Sequence, residues 1–197
     1  MIIGVLALQG DFELHQNMLS KLGVPSISIK YPYELEKCDG LIIPGGESTT
    51  ISKLIDSNGF RLPIIKYSRN NSIFGTCAGM ILLSTTESNE NLKPLNIMDF
   101  TVTRNGWGRQ IFSFTKEVNI DFSERFKYLA TFIRAPKVLT IKDSIRVLSK
   151  LNEEAILLTD GFHLASSFHP EFGSDPQIHN YFINLVKVNE KINSARS

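Results

Sequence analysis

Ser72-Ile73-Phe74-Gly75-Thr76-Cys77-Ala78-Gly79-Met80-Ile81-Leu82-Leu83 is the stretch whose reading decides the fold. Ser72–Thr76 is short and apolar and reads as a buried strand, while Ala78–Leu83 opens a helix. The cysteine between them is flanked by Gly75 and Gly79, the G-x-S-x-G elbow pattern with sulfur in place of oxygen. So sharp a turn crowds the positions beside it, and glycine relieves the crowding. The turn pushes the thiol out above the sheet and sets it at a helix N-terminus, where unpaired N–H groups favour an anion. Taken alone, the segment reads equally well as a core cysteine after a strand, with glycines for close packing.

Strands and helices alternate outward from this point. Ile2–Leu8 reads as a buried strand. Asp11 is a helix cap ahead of Phe12, His15, Leu19 and Leu22, and Gly23 ends that pattern. Ser26–Ile29 and Leu41–Ile43 are strands; Ser48–Asp56 and Leu62–Arg69 are helical. This order predicts an α/β fold, a three-layer open and mostly parallel sheet flanked by helices. The second half differs. Phe100–Thr103, Ile111–Phe114, Thr131–Ile133, Ile145–Leu148, Ala155–Leu158 and Leu164–Phe168 read as strands with short connections, an antiparallel excursion on the same core. Gln177–Val188 is a helix, and the polar tail Asn189–Ser197 is expected to fray.

The 197 residues carry a formal charge of +1, with 42% hydrophobic and 21% charged residues. That is the balance of one globular domain spanning residues 1–197, and it gives no sign of a nucleic-acid partner. Two cysteines are too few for a secreted disulfide scaffold. The first residues lack the basic leader of a signal peptide, and no apolar run approaches the roughly 20 residues that span a bilayer. The expectation is a cytoplasmic protein with no membrane partner and no metal.

Two further segments carry chemistry. In Phe168-His169-Pro170-Glu171, Pro170 biases His169 toward extended backbone, where residues i and i+2 share a side. Glu171 can then orient an imidazole whose other nitrogen faces a thiol. A lone H-x-E is more readily a surface turn with an incidental His and Glu. Pro44-Gly45-Gly46-Glu47-Ser48-Thr49-Thr50 follows a strand and precedes a helix. Its glycines let backbone N–H groups approach a ligand or an oxyanion. It is neither a Walker loop nor a dinucleotide fingerprint. All three segments fall at predicted C-terminal strand ends, where open α/β sheets build their sites.

Together these motifs resemble the class I glutamine amidotransferases. Within that family they are most similar to the glutaminase subunits of pyridoxal 5′-phosphate synthases. The narrower likeness rests on Gly4-Val5-Leu6-Ala7-Leu8-Gln9-Gly10, on Arg104-Asn105-Gly106-Trp107-Gly108-Arg109-Gln110 and on Phe132-Ile133-Arg134-Ala135-Pro136. It runs from Ile2 to about Val186. Trp107 departs from the phenylalanine more usual there, which puts local packing in question. The resemblance implies a Cys77–His169–Glu171 triad that hydrolyses L-glutamine to glutamate and ammonia. It implies glutamine contacts at Gly46, Glu47, Ser48, Arg104, Ile133 and Arg134, and an oxyanion hole at Gly45, Gly46 and Ala78. The implied partner is the (β/α)8-barrel synthase subunit, with Gln9-Gly10-Asp11 as a candidate contact. No cofactor is implied; pyridoxal 5′-phosphate would be the product of the complex. An amidotransferase subunit of another pathway, or a non-catalytic regulatory partner, are the alternative readings. His15, His163 and His179 have no motif role and are expected at the surface or in helices. Cys38 is expected to be structural.

Overall fold

The computed structural model of the chain describes residues 1–86, 92–104, 113–122 and 124–194. Its first half alternates strand and helix: β1 (Ile3–Leu6), α1 (Phe12–Lys21), β2 (Ser26–Ile29), β3 (Gly40–Ile43), α2 (Ser48–Ser57), α3 (Arg61–Tyr67), β4 (Ser72–Thr76) and α4 (Ala78–Leu83). Then come β5 (Phe100–Thr103), β6 (Ser113–Asp121), β7 (Arg125–Ile133), β8 (Lys137–Ile141), β9 (Arg146–Leu151), β10 (Glu154–Thr159), β11 (Leu164–Ser166) and α5 (Gln177–Ser194).

One nine-stranded sheet runs in the order β2-β1-β3-β4-β11-β10-β9-β6-β7. The strands from β2 to β11 pair in parallel. From β11 to β7 the pairing is antiparallel. β5 and β8 form a separate antiparallel pair. This matches the expected fold class.

The apolar runs explain the layers. Side chains along a strand alternate between faces. In β3, Leu41 and Ile43 join a core with Ile51 and Ile55 of α2, Ile64 of α3 and Met80 of α4. Ile42 points the other way, into a core with Leu19 of α1 and Phe182 of α5. Helices therefore cover both faces of the parallel half. α4 lies very close to the sheet, and the glycines set that distance: a methyl group at Gly79 would run into the Ile43 carbonyl oxygen.

The structure departs from the sequence reading in several places. β8 was unforeseen, since it is mostly exposed and shows no apolar alternation. β6 and β7 are longer than expected, because charged residues such as Lys127 and Glu117, paired at 2.8 Å, mask their period. The expected strand at Ile111 falls partly outside the described residues. α5 continues past Val188, held by Asn189, whose buried Nδ2 donates to Ser72 Oγ at 2.7 Å. Asp11 makes no side-chain capping bond to α1. His15 and His179 do lie in helices, but they and His163 are buried rather than superficial. Both cysteines are free; Cys38 is buried beside Tyr67. No helix among the described residues is long and apolar enough to cross a membrane.

Candidate active site

Cys77 sits at the turn from β4 into α4 with φ +48° and ψ −101°. The left-handed region is costly for a residue with a Cβ, so the surrounding structure must impose it. Its N–H donates to the Ser166 carbonyl of β11 at 2.8 Å, and its carbonyl accepts from Ile81 N at 3.2 Å. The elbow is thus pinned to the neighbouring strand on one side and to its own helix on the other. The N–H of Ala78 lies in the first turn of α4, where amides have no intrahelical acceptor.

His169 follows β11 and is tied across to β7, its N–H donating to the Thr131 carbonyl at 2.8 Å. Pro170–Phe172 forms a 3-10 turn rather than the extended segment anticipated. The turn still delivers the carboxylate, with His169 Nδ1 and Glu171 Oε1 2.7 Å apart. Cys77, His169 and Glu171 are all at most 5% exposed. Gly45 makes room for the imidazole; a side chain there would strike its Cε1 edge.

The two sides of the imidazole differ. Nδ1 is held by Glu171, whereas Nε2 is buried and makes no hydrogen bond. The Cys77 thiol instead donates to the Ile133 carbonyl at 3.6 Å. Burial opposes a charged imidazole, but Cys77 and Glu171 outweigh it and raise His169 to about 10. Burial likewise opposes the Glu171 anion, but His15 and His169 more than compensate and hold its carboxyl below the ordinary range.

A cavity of about 630 Å³ opens in front of the thiol. Gly46, Glu47, Ser48, Arg104, Ile133 and Arg134 all border it together with Cys77 and His169, so the sequence-derived set converges. Glu171 stands behind His169, out of the cavity wall. Asn105–Gln110 of the arginine-led segment lie outside the described residues. A groove of about 680 Å³ between α3 and the 3-10 turn Pro32–Lys37 is no smaller, but neither cysteine and no histidine borders it.

Glu47 is more constrained than the sequence suggested. It is the N-cap of α2, and its carboxylate accepts from Thr49 N at 3.2 Å, Thr50 N at 2.7 Å and Thr50 Oγ1 at 2.6 Å. Arg104 adds an ion pair at 3.2 Å. Partial burial opposes the anion, but the threonine hydrogen bonds prevail and bring its pKa down to about 2. Sequence reasoning missed Asp11 and Ser113 as wall residues. Gln9 also faces the cavity, and its Oε1 accepts from Glu47 N at 3.0 Å, tying the β1–α1 turn to the glycine loop. Their signal was position alone: Gln9 and Asp11 follow the C-terminal end of a parallel strand. Arg134 has φ +46°, a second strained residue beside the cavity.

A mostly parallel sheet with a thiol, an imidazole and a carboxylate gathered at its strand ends is an α/β fold with a candidate cysteine-nucleophile site. The chain belongs to the SNO glutamine amidotransferase family, whose sequence pattern matches residues 5–188. It is 42% identical to the pyridoxal 5′-phosphate synthase subunit PdxT of Desulforamulus reducens over 188 residues, covering 95% of this chain and 100% of that one. The PdxT of Dehalococcoides mccartyi strain BAV1 is 44% identical over 192 residues, covering 95% and 98%. A crystal structure of a glutamine amidotransferase superposes with a TM-score of 0.88 at 37% identity, covering 95% of this chain and all of the other.

Proposed function

We propose that the chain hydrolyses the side-chain amide of L-glutamine at Cys77 and hands the ammonia to the synthase subunit of a pyridoxal 5′-phosphate synthase. The observation that carries this is Cys77 and His169 on the wall of one cavity, with Glu171 on the far nitrogen of the imidazole. Relatives named as subunits of that synthase supply the pathway.

The chemistry follows from the arrangement. The Cys77 sulfur attacks the amide carbon, and any thiol proton passes to His169 Nε2. The N–H of Ala78 and one from Gly45-Gly46 receive the oxyanion, each donor typically contributing roughly 3–4 kcal/mol. The imidazolium gives its proton to the leaving nitrogen, and ammonia departs from a γ-glutamyl thioester. Water then attacks the thioester carbon, loses a proton to His169 and expels the Cys77 sulfur as glutamate forms. Glu171 fixes the imidazole tautomer throughout. Arg104 and Arg134 offer donors to the substrate carboxylate. With most of the Glu47 carboxylate engaged as a cap, its Oε1 shares the substrate ammonium with Asp11. Gly46, Ser48 and Ile133 complete the contacts.

Ammonia is lost to water by protonation, so the product is useful only when released into a partner. The partner is taken to be the (β/α)8-barrel subunit. The test is ammonia release from glutamine, with and without that synthase subunit. Release should rise sharply on mixing and vanish for Cys77→Ala. Substantial turnover by Cys77→Ala would remove the nucleophile assignment, and turnover indifferent to the synthase would remove the partner.

A further inference from the structure

Two histidines that the proposed reaction does not use lie behind the carboxylate. His15 of α1 and His179 of α5 are both fully shielded from solvent. His15 Nδ1 and His179 Nε2 are 2.9 Å apart. On its other edge, His15 Nε2 lies 3.5 Å from Glu171 Oε2 and 3.3 Å from Thr76 Oγ1. Neither Glu171 Oε2 nor His179 Nδ1 has a hydrogen-bond partner among the described residues; the 3.5 Å approach of His15 is a contact at ion-pair range, and the hydrogen bond of His15 Nε2 is to Thr76.

Burial keeps both rings neutral. For His15, burial lowers proton affinity; Glu171 and Asp11 work against it and His169 with it. For His179, burial again dominates, helped by His15 and Lys21. Each ring therefore carries one N–H, and two arrangements are available. In the first, His15 Nε2–H faces Glu171, His15 Nδ1 accepts from His179 Nε2–H, and His179 Nδ1 is a bare lone pair. In the second, His15 turns a lone pair toward the anion and His179 buries an N–H with no acceptor. The second sets negative density against a carboxylate and orphans a donor, the rarer defect in proteins.

We propose that His15 is a positioning residue for glutamine hydrolysis: fixed in its Nε2–H tautomer by His179, it holds the second oxygen of Glu171 so that the first stays on His169 Nδ1. The proposal rests on the triad reading above.

The first test is 15N NMR of histidine-labelled full-length chain. His15 and His179 should both show neutral Nε2–H signatures at pH 7; an Nδ1–H signature for His15 overturns the proposal even if every variant fails to fold. The second test compares His15→Leu, His15→Gln and Glu171→Gln, alone for NMR and with the synthase subunit for turnover. His15→Leu should lower the His169 midpoint from about 10, by roughly one pH unit. It should also cut kcat about tenfold with little change in KM, a loss of transition-state stabilisation alone. His15→Gln retains an N–H donor and should restore most of both. If His15→Leu leaves both unchanged while Glu171→Gln loses both, the positioning role is wrong and the triad stands. If Glu171→Gln also leaves both unchanged, the triad reading has failed and the proposal with it. If His15→Gln is as impaired as His15→Leu, the role is packing and the proposal is overturned.

Discussion

β4 and β6 belong to one sheet, yet β4 is buried at every position while β6 is largely exposed, with only Val118 and Ile120 buried. The difference lies in what covers them. β4 has helices on both faces, so its neighbours can shift little without disturbing two cores. The excursion containing β6 and β7 turns one face to solvent and ends in the edge strand β7. Cys77, His169 and Glu171, the proposed reacting groups, stand on the doubly covered side, at the ends of β4 and β11. Ile133 and Arg134, which border the cavity, come from the end of β7. The groups whose placement must be most exact thus stand where packing is tightest, and the cavity wall joins that half, through Gln9, Gly46, Glu47 and Ser48, to the looser excursion, through Ile133 and Arg134.

That contrast can be broken experimentally, beginning on the tight side. Glu171→Gln should lower kcat for glutamine roughly 10²- to 10⁴-fold through loss of the imidazole's orientation. A steady-state loss below about tenfold would mean that placement by the parallel half is dispensable.

Acid should also strike that side. His15 and His179 have folded-state values below 6.5, so their contribution is present above pH 6.5 and is lost as pH falls through those values. His169 acts oppositely: its contribution is full below 6.5 and disappears as pH rises through about 10, so it is constant between pH 6.5 and 5. Denaturant unfolding at pH 7 and pH 5 should differ by up to about 2 kcal/mol per buried histidine. Equal stabilities would show that the pair is not held neutral.

Packing supplies a smaller contrast. Gly79→Ala pushes a methyl group against the Ile43 carbonyl and should cost about 1–3 kcal/mol. The exposed Lys116→Ala in β6 should stay within about 0.5 kcal/mol. Thermal unfolding of the two variants decides it, and similar losses would erase the difference between the halves. On the looser side, Arg134→Gly relieves a left-handed backbone and should raise stability by about 1 kcal/mol. The same variant should raise KM for glutamine with kcat nearly kept. A fall in kcat instead would place Arg134 with the chemistry.

The elements that were legible in the sequence are those whose local pattern and burial agree. Ser26–Ile29 and Ser72–Thr76 were read with their observed bounds and Ala78 as the start of α4: the buried β4 and the elbow leave an apolar run, and β2 alternates serine and isoleucine. β8 and most of β6 and β7 were not, since exposed strands of an antiparallel ribbon can carry charge at any outward position. Within the site, Cys77, His169 and Glu171 stood in short motifs. His15 and His179 did not: one is a helix residue near the start of the chain and the other near its end, 164 positions apart.

By itself, then, the sequence determined the alternation of strand and helix, the elbow and the set of groups able to react, because each depends on neighbours a few residues away. Tertiary structure alone decided that Glu47 engages its carboxylate as a cap, that the Cys77 thiol donates to the Ile133 carbonyl, and that two remote histidines meet behind Glu171. Those outcomes depend on which surfaces come together when α1 and α5 close on one face of the sheet, and on the dry environment that closure creates.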